Sequence, residues 1–213
     1  MTQEKFSAVL FDMDGTLLDT REFIFRAWEH VMQRHSLPSR TRDEITAHIT
    51  KPLHGIYNAL YPDIDVGSLM ESHRDFQLEN LHLAQRFEHT LHTLERLKEA
   101  GKVCAVISTR GRNSIMTALK TTEIAHFFDV IVSTDDVSAA KPDPEPVLRA
   151  LKDLGCPAEK AIMIGDTDVD IIAGKRAGVC TIGVTYGFHG SDVARHNPDH
   201  VVDEISQILP IIL

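Results

Sequence analysis

Two carboxylates spaced one residue apart, Asp12 and Asp14, follow directly on the apolar run Ala8-Val9-Leu10-Phe11, and Gly15 and Thr16 come next. A run of that kind reads as a fully buried parallel strand, so the acids fall at its C-terminal end. In an open α/β sheet that end faces the ligand crevice, where a carboxylate pair can act as nucleophile, acid or base, or cation ligand. Gly15 lets the main chain turn sharply and approach a ligand, and Thr16 adds a hydroxyl. The same residues would also suit an ordinary acidic turn. The rest of the chain decides between the two.

Other strand-like runs end in polar groups of matching chemistry. Val103-Cys104-Ala105-Val106-Ile107 leads into Ser108-Thr109, and Val130-Ile131-Val132 precedes the segment holding Lys141. Ala161-Ile162-Met163-Ile164 leads into Gly165-Asp166-Thr167-Asp168-Val169-Asp170. If these strands are parallel, all of the groups open on one edge of the sheet. Asp12, Asp14 and Asp166 would repel one another there without a cation, and an all-oxygen ligand set is what Mg²⁺ selects. Mg²⁺ is usually shared between carboxylates and phosphoryl oxygens. Lys141 supplies a second positive charge for a phosphoryl group, and the Ser108 hydroxyl with nearby main-chain N–H groups can take its remaining oxygens. Each part alone is common in loops. Their convergence carries the reading.

The elements that must position these groups follow from periodicity. Ile24, Ala27, Trp28, Val31 and Met32 recur at helical spacing, and two short helical patterns over 42–49 and 53–60 and a longer one over 66–83 follow. Residues 20–85 therefore read as helices without a strand, too much for a simple βα connection. The expectation is an inserted helical subdomain over 19–87, joined near Asp19 and Phe87, with the catalytic core formed by 1–18 and 88–213. From Leu91 onward helices alternate with strands at 103–107, 130–132, 161–164, 181–184 and 200–202. Asp143 is the expected N-cap of one helix, with Pro144 at its first position. The fold class is α/β: a Rossmann-like, doubly wound parallel sheet with an inserted α-helical subdomain.

The 213 residues carry a net charge of -9 and are 43% hydrophobic, which suits one soluble domain with an insert. The acidic balance and the lack of a Lys/Arg run argue against nucleic acid or an anionic membrane as partner. No apolar stretch approaches membrane-spanning length, and the polar segment Met1 to Lys5 leaves no room for a signal peptide, so the expected location is cytoplasmic. The expected partner is a small phosphorylated metabolite, and the expected assembly a monomer or weak homodimer. Cys104, Cys156 and Cys180 are far apart and fit neither a disulfide framework nor a zinc site. Of the 12 histidines, His89 and His92 could share a helix face, but a solvated surface role is expected for them.

Asp12-Met13-Asp14-Gly15-Thr16, Ser108, Lys141 and Gly165-Asp166-Thr167-Asp168-Val169-Asp170 resemble, in order and spacing, the four motifs of the haloacid dehalogenase-like (HAD) hydrolase superfamily. The helical insert is similar to its small C1-type cap. The resemblance implies Asp12 as nucleophile forming an aspartyl-phosphate and Asp14 as general acid and base. It implies Mg²⁺ held by Asp12, Asp166 and the main-chain carbonyl of Asp14, supported by Asp170, with Asp168 a lesser contributor. Ser108 and Lys141 would hold the phosphoryl oxygens. Gly15, Thr109, Arg110 and Lys51 would line the substrate, and Arg110 or Arg112 could reach a second anionic group. Asp14 favours a phosphatase or phosphomutase over a dehalogenase, because halide leaves without a proton. Thr16, Thr185-Tyr186-Gly187-Phe188 and Ile49-Thr50-Lys51-Pro52-Leu53 look most like phosphoglycolate phosphatase and pyrophosphatase members. Phe87-Glu88-His89-Thr90-Leu91 departs from the Pro-Gly-Val common before the second motif. The expected activity is Mg²⁺-dependent hydrolysis of a small phosphate monoester, with 2-phosphoglycolate foremost. Pyrophosphate or sugar-phosphate hydrolysis, a β-phosphoglucomutase-like mutase and a non-catalytic phospho-acceptor or binding protein stay open.

Overall fold

A computed structural model describes residues 5–213, so Met1–Glu4 of the polar lead-in lie outside the described residues. The core elements are β1 (Ala8–Phe11), α5 (Thr90–Glu99), β4 (Val103–Ile107), α6 (Arg112–Thr121), β5 (Val130–Val132), α7 (Glu145–Leu154), β6 (Ala161–Gly165), α8 (Asp168–Ala177), β7 (Cys180–Val184), β8 (His200–Val202) and α9 (Leu209–Ile212). Between β1 and α5 come β2 (Leu18–Asp19), α1 (Arg21–Arg34), α2 (Arg42–Thr46), α3 (Leu53–Leu60), α4 (Val66–Glu79) and β3 (Gln85–Arg86).

The six core strands form one parallel sheet in the order β5-β4-β1-β6-β7-β8. From β1 the chain winds outward through β4 and β5, then returns to β6 on the other flank of β1. The order reverses between β1 and β6, and such a reversal opens a crevice at the carboxyl ends of the strands. Every residue of β1 and of β6 is buried, as their unbroken apolar runs demand. Strand alternation sends Val9, Phe11, Val106 and Ile164 to one layer with residues of α5 and α6. It sends Leu10, Ala105, Ile107 and Met163 to the opposite layer with residues of α7 and α8. This is the doubly wound α/β architecture expected from the sequence.

The helical insertion has its own apolar cluster, in which Phe23, Trp28, Val31, Ile45, Tyr57, Leu60 and Leu69 are buried together. The Trp28 and Tyr57 rings lie 4.2 Å apart, and His73 meets the Trp28 ring edge-on at 5.5 Å. One expectation is corrected here: the segment is not strand-free at its ends. β2 and β3 pair antiparallel, with Leu18 opposite Arg86 and Asp19 opposite Gln85. Four residues carry too little periodicity to stand out, but pairing satisfies the main chain where it leaves and re-enters the core. The helix expected over 66–83 ends at Glu79, and a 3₁₀ turn covers Leu81–Leu83. At α7 the start is one residue later than expected, with Pro144 as N-cap and Asp143 Oδ1 accepting from the Glu145 N–H at 2.9 Å. Among the described residues no helix is long and apolar enough to cross a membrane.

Trp28 is the largest side chain fully enclosed in the insertion. Trp28→Ala should lower the unfolding free energy by about 3–5 kcal/mol, read by chemical denaturation, because the collapsed site cannot refill the ring's volume.

Candidate active site

The crevice at the order reversal is where β1 and β6 deliver their acids. Phe11 pairs with Ile164, and the Asp12 N–H donates to the Ile164 carbonyl at 2.9 Å, so Asp12 leaves β1 level with the end of β6. Carboxylate oxygens of Asp12, Asp166 and Asp170 all lie within 4.8 Å of one another, and all three residues are buried. Lys141, also buried, reaches into this cluster. Its Nζ donates to Asp12 Oδ1 at 2.6 Å, Asp170 Oδ1 at 2.7 Å and the Ile107 carbonyl at 2.8 Å.

Each acid is held by short-range donors. Thr16 Oγ1 donates to Asp166 Oδ1 at 3.2 Å, and the Phe188 N–H donates to Asp166 Oδ2 at 2.7 Å. Asp170 Oδ2 accepts from the Thr167 N–H at 3.1 Å and Thr167 Oγ1 at 2.6 Å, a capping box that starts α8. Gly15 has φ +83, and a Cβ there would lie 2.3 Å from Asp166 Oδ2. No other residue type fits this turn without moving the acid.

Burial, with Asp170 and Asp14 adding to it and Lys141 opposing, pushes the Asp12 carboxyl from 3.8 up to about 7. Burial likewise raises Asp166 well above the ordinary carboxylate range, assisted by Asp12 and Asp170. Burial alone would lower Lys141, but Asp12 and Asp170 outweigh it and hold its pKa above the usual ammonium value. One ammonium thus faces three carboxylates. An oxygen-only donor set with this charge deficit fits a hard divalent cation such as Mg²⁺.

Of the other residues anticipated for the site, Ser108 is buried just beyond β4, and its Oγ accepts from the Arg110 N–H at 3.3 Å. Thr109, Arg110 and, from the insertion, Lys51 line a cavity of about 580 Å³ that also takes in Asp12, Asp14 and Lys141. Lys51 approaches His48 Nδ1 at 3.2 Å. The Asp14 carboxylate stands outside the acidic cluster: Arg110 Nε donates to its Oδ2 at 2.7 Å and Nη2 to its Oδ1 at 2.6 Å. Arg112 is turned away from the cavity and donates to Asp136 Oδ2 at 2.7 Å and to the Ile131 carbonyl at 2.9 Å. Asp168 also stays outside the cluster, 3.8 Å from His189. His89 is the residue before α5 and sits in the left-handed region at φ 64, off the helix that was expected to carry it with His92.

Three contributions were not anticipated: the packing roles of Gly165 and Gly187, which the motif segments already contained, and the contacts of Arg21. A Cβ on Gly165 would lie 2.2 Å from Asp170 Cβ, and one on Gly187 would lie 2.2 Å from Asp166 Cβ, so both glycines let the acids pack onto the main chain. Arg21, at the start of α1, donates through Nη2 to the Tyr186 carbonyl and to the Gly187 carbonyl at 3.1 Å. Gly187 beside an aromatic after an apolar strand was the readable signal for the loop, but nothing local pointed to Arg21.

A profile of the family described as haloacid dehalogenase-like hydrolase matches residues 9–184. The chain belongs to this family. Pyrophosphatase PpaX of Bacillus velezensis is 35% identical over 213 residues, spanning 99% of this chain and 98% of that protein. Among solved structures, one described as a predicted phosphoglycolate phosphatase from Haemophilus somnus matches with a TM-score of 0.90 at 22% identity, over 98% of this chain and 99% of that one. A haloacid dehalogenase-like family hydrolase from Streptococcus pneumoniae matches at 0.87 and 24% identity, over 99% and 100% of the two chains. At these identities the two structures speak to the fold. As a haloacid dehalogenase-like hydrolase with phosphatase relatives, the chain is a hydrolase of the phosphatase type.

The raised Asp12 carboxyl gives a signed pH prediction. Between pH 3.8 and about 7 the cation-free folded state keeps a proton that the unfolded chain has lost, so stability from this group falls as pH rises through that window. A cation on the cluster reverses that loss. The rise in thermal-unfolding midpoint on replacing chelator with Mg²⁺ should therefore be larger at pH 8 than at pH 5. Equal rises at the two values would place the cation elsewhere.

Proposed function

We propose that this chain is a Mg²⁺-dependent phosphatase working through an aspartyl-phosphate on Asp12. The observation that carries this reading is the buried group formed by Asp12, Lys141, Asp166 and Asp170 at the sheet's order reversal. Asp12, Asp166 and the main-chain carbonyl of Asp14 would hold the cation, with Asp170 supporting them. When bound, Mg²⁺ supplies positive charge against the phosphoryl oxygens. Lys141 favours the ionised form of Asp12, which burial alone would neutralise.

An Asp12 oxygen attacks phosphorus, and the bond from phosphorus to the leaving oxygen breaks while Asp14 gives that oxygen a proton. A water then attacks the phosphorus of the aspartyl-phosphate, returns a proton to Asp14 and frees the Asp12 carboxylate. Ser108, Thr109, Lys141 and the main chain at Gly15 hold the phosphoryl oxygens during both steps. Residues 19–87 act as a cap over the core built from 1–18 and 88–213, closing to exclude water from phosphoryl transfer.

For the leaving group, Lys51, Arg74 and Arg110 at the cavity wall support a small substrate with a second negative group. 2-Phosphoglycolate is a small phosphate monoester of that description. Inorganic pyrophosphate is the second reading, favoured by the 35% identity to a protein named pyrophosphatase along nearly its whole length.

A Mg²⁺-supplemented screen of 2-phosphoglycolate, pyrophosphate and sugar phosphates, read as phosphate released, tests the substrate. Asp12→Asn should lower kcat by about 10⁴-fold or more while the far-UV circular dichroism stays unchanged, and it should abolish acid-stable phosphoprotein in single-turnover quench. Turnover retained by the purified variant would remove the mechanism.

A further inference from the structure

Arg110 grips Asp14 with two arms of its guanidinium, Nε on Oδ2 at 2.7 Å and Nη2 on Oδ1 at 2.6 Å, so both carboxylate oxygens are engaged. The side chains are only 13% and 17% exposed, which leaves little water to screen the pair. The third arm approaches Ser114 Oγ at 3.4 Å, and the guanidinium carbon lies 5.1 Å from the centre of the Phe23 ring. Ser114 belongs to core helix α6, and Phe23 to α1 of the insertion. Asp14, Phe23, Arg110 and Ser114 all face the cavity that Asp12 and Lys141 enter.

A carboxylate clamped on both oxygens cannot also reach a leaving oxygen on phosphorus. Opening the clamp without a replacement leaves a guanidinium unpaired in a largely buried position, which is costly. A carboxylate or second phosphoryl group on the substrate removes that cost. It offers the fork the same two-oxygen geometry that Asp14 offers. Arg110 then keeps its stacking on Phe23 and exchanges one anion for another.

We infer that Arg110 is a latch on Asp14, released by the second anionic group of the substrate. The inference rests on the reading of Asp14 as the group that serves the leaving oxygen. It assigns the site to phosphoryl compounds whose leaving group carries a carboxylate or phosphate, and it puts the discrimination in kcat as well as in KM. A substrate lacking that group binds its phosphoryl end yet leaves Asp14 occupied.

The matched pair for a test is 2-phosphoglycolate and ethyl phosphate, in which a methyl replaces the carboxylate; pyrophosphate serves as a second two-anion substrate. In the unaltered protein kcat for ethyl phosphate should be lower by about tenfold or more. Added acetate should raise kcat for ethyl phosphate and leave that for 2-phosphoglycolate unchanged, a readout that needs no variant. Arg110→Gln should raise kcat for ethyl phosphate and raise KM for 2-phosphoglycolate, so the kcat ratio between the two substrates contracts by about tenfold. Arg110→Lys, which keeps the charge and loses the fork, should fall between. Equal proportional loss of kcat on both substrates in Arg110→Gln, or no activation by acetate, would overturn the latch while leaving the Asp12 chemistry standing. Turnover that survives Asp12→Asn would overturn that chemistry, and the latch with it.

Discussion

Lys141 Nζ lies 2.6 Å from Asp12 Oδ1 and 2.7 Å from Asp170 Oδ1, and Asp166 completes the group, so a single ammonium stands among three buried carboxylates. Two like charges about 4 Å apart repel by roughly 4 kcal/mol at the effective dielectric of a protein interior. The fold opposes that repulsion with fixed donors: Thr16 and the Phe188 N–H on Asp166, and Thr167 on Asp170. Gly165 and Gly187 allow these acids to sit against the main chain, where a methyl group would overlap them. The parallel register of β1 with β6 then fixes how far each acid projects. Sheet order, strand length and loop composition all serve one electrostatic arrangement, which a divalent cation and a phosphoryl group can satisfy.

The helical insertion is tied to this arrangement although its apolar cluster is separate. Phe188 takes part in both: its N–H donates to Asp166, and its ring meets Phe25 of α1 edge-on at 6.5 Å. Arg21 binds the carbonyls of Tyr186 and Gly187 in the same loop. Tyr186 OH in turn donates to the Thr16 carbonyl at 2.9 Å, beside the turn that carries Asp14. Movement of α1 therefore bears on the loop that orients Asp166 and on the first motif at once. The β2–β3 ribbon pairs the chain where it leaves the core with the chain where it returns.

The core was legible because its signals are local and redundant. Buried parallel strands are apolar without interruption, so polar groups at the end of each run mark the sheet edge, and Asp12, Lys141 and Asp166 could be grouped from order alone; Asp14, expected among the acids, pairs with Arg110 instead, and Asp170 stands in the cluster. What escaped depends on pairings between distant residues. Nothing near Arg110 says that its guanidinium goes to Asp14, and nothing near Arg112 says that Asp136 captures it. The two-residue strands β2 and β3 have no period to detect, and the glycines at 165 and 187 differ from ordinary turn residues only through the acids packed against them. Helices of the insertion were visible as apolar stripes, but their contribution to the cavity depends on how those stripes pack.

That difference matters for specificity. On the proposed reading the phosphoryl end of the substrate would meet residues of the core, whose positions follow from strand register. On the proposed reading the leaving group would meet a wall in which apolar and aromatic side chains of α1 and α4 are interspersed with Lys51, Arg74 and Arg110. His73 adds no charge there: burial, reinforced by Arg110, drives its pKa down to about 3, and its Nδ1 is shared with Tyr57 OH at 2.9 Å. The insertion's side of the wall therefore carries its positive charge at Lys51 and Arg74, a pattern that on the proposed reading would sense where a second anion sits relative to phosphorus. Arg110 is the one of these cations that bonds the Asp14 carboxylate. On the proposed reading, recognition of the leaving group and readiness of Asp14 would meet in this single guanidinium, which touches Ser114 of the core and Phe23 of the insertion.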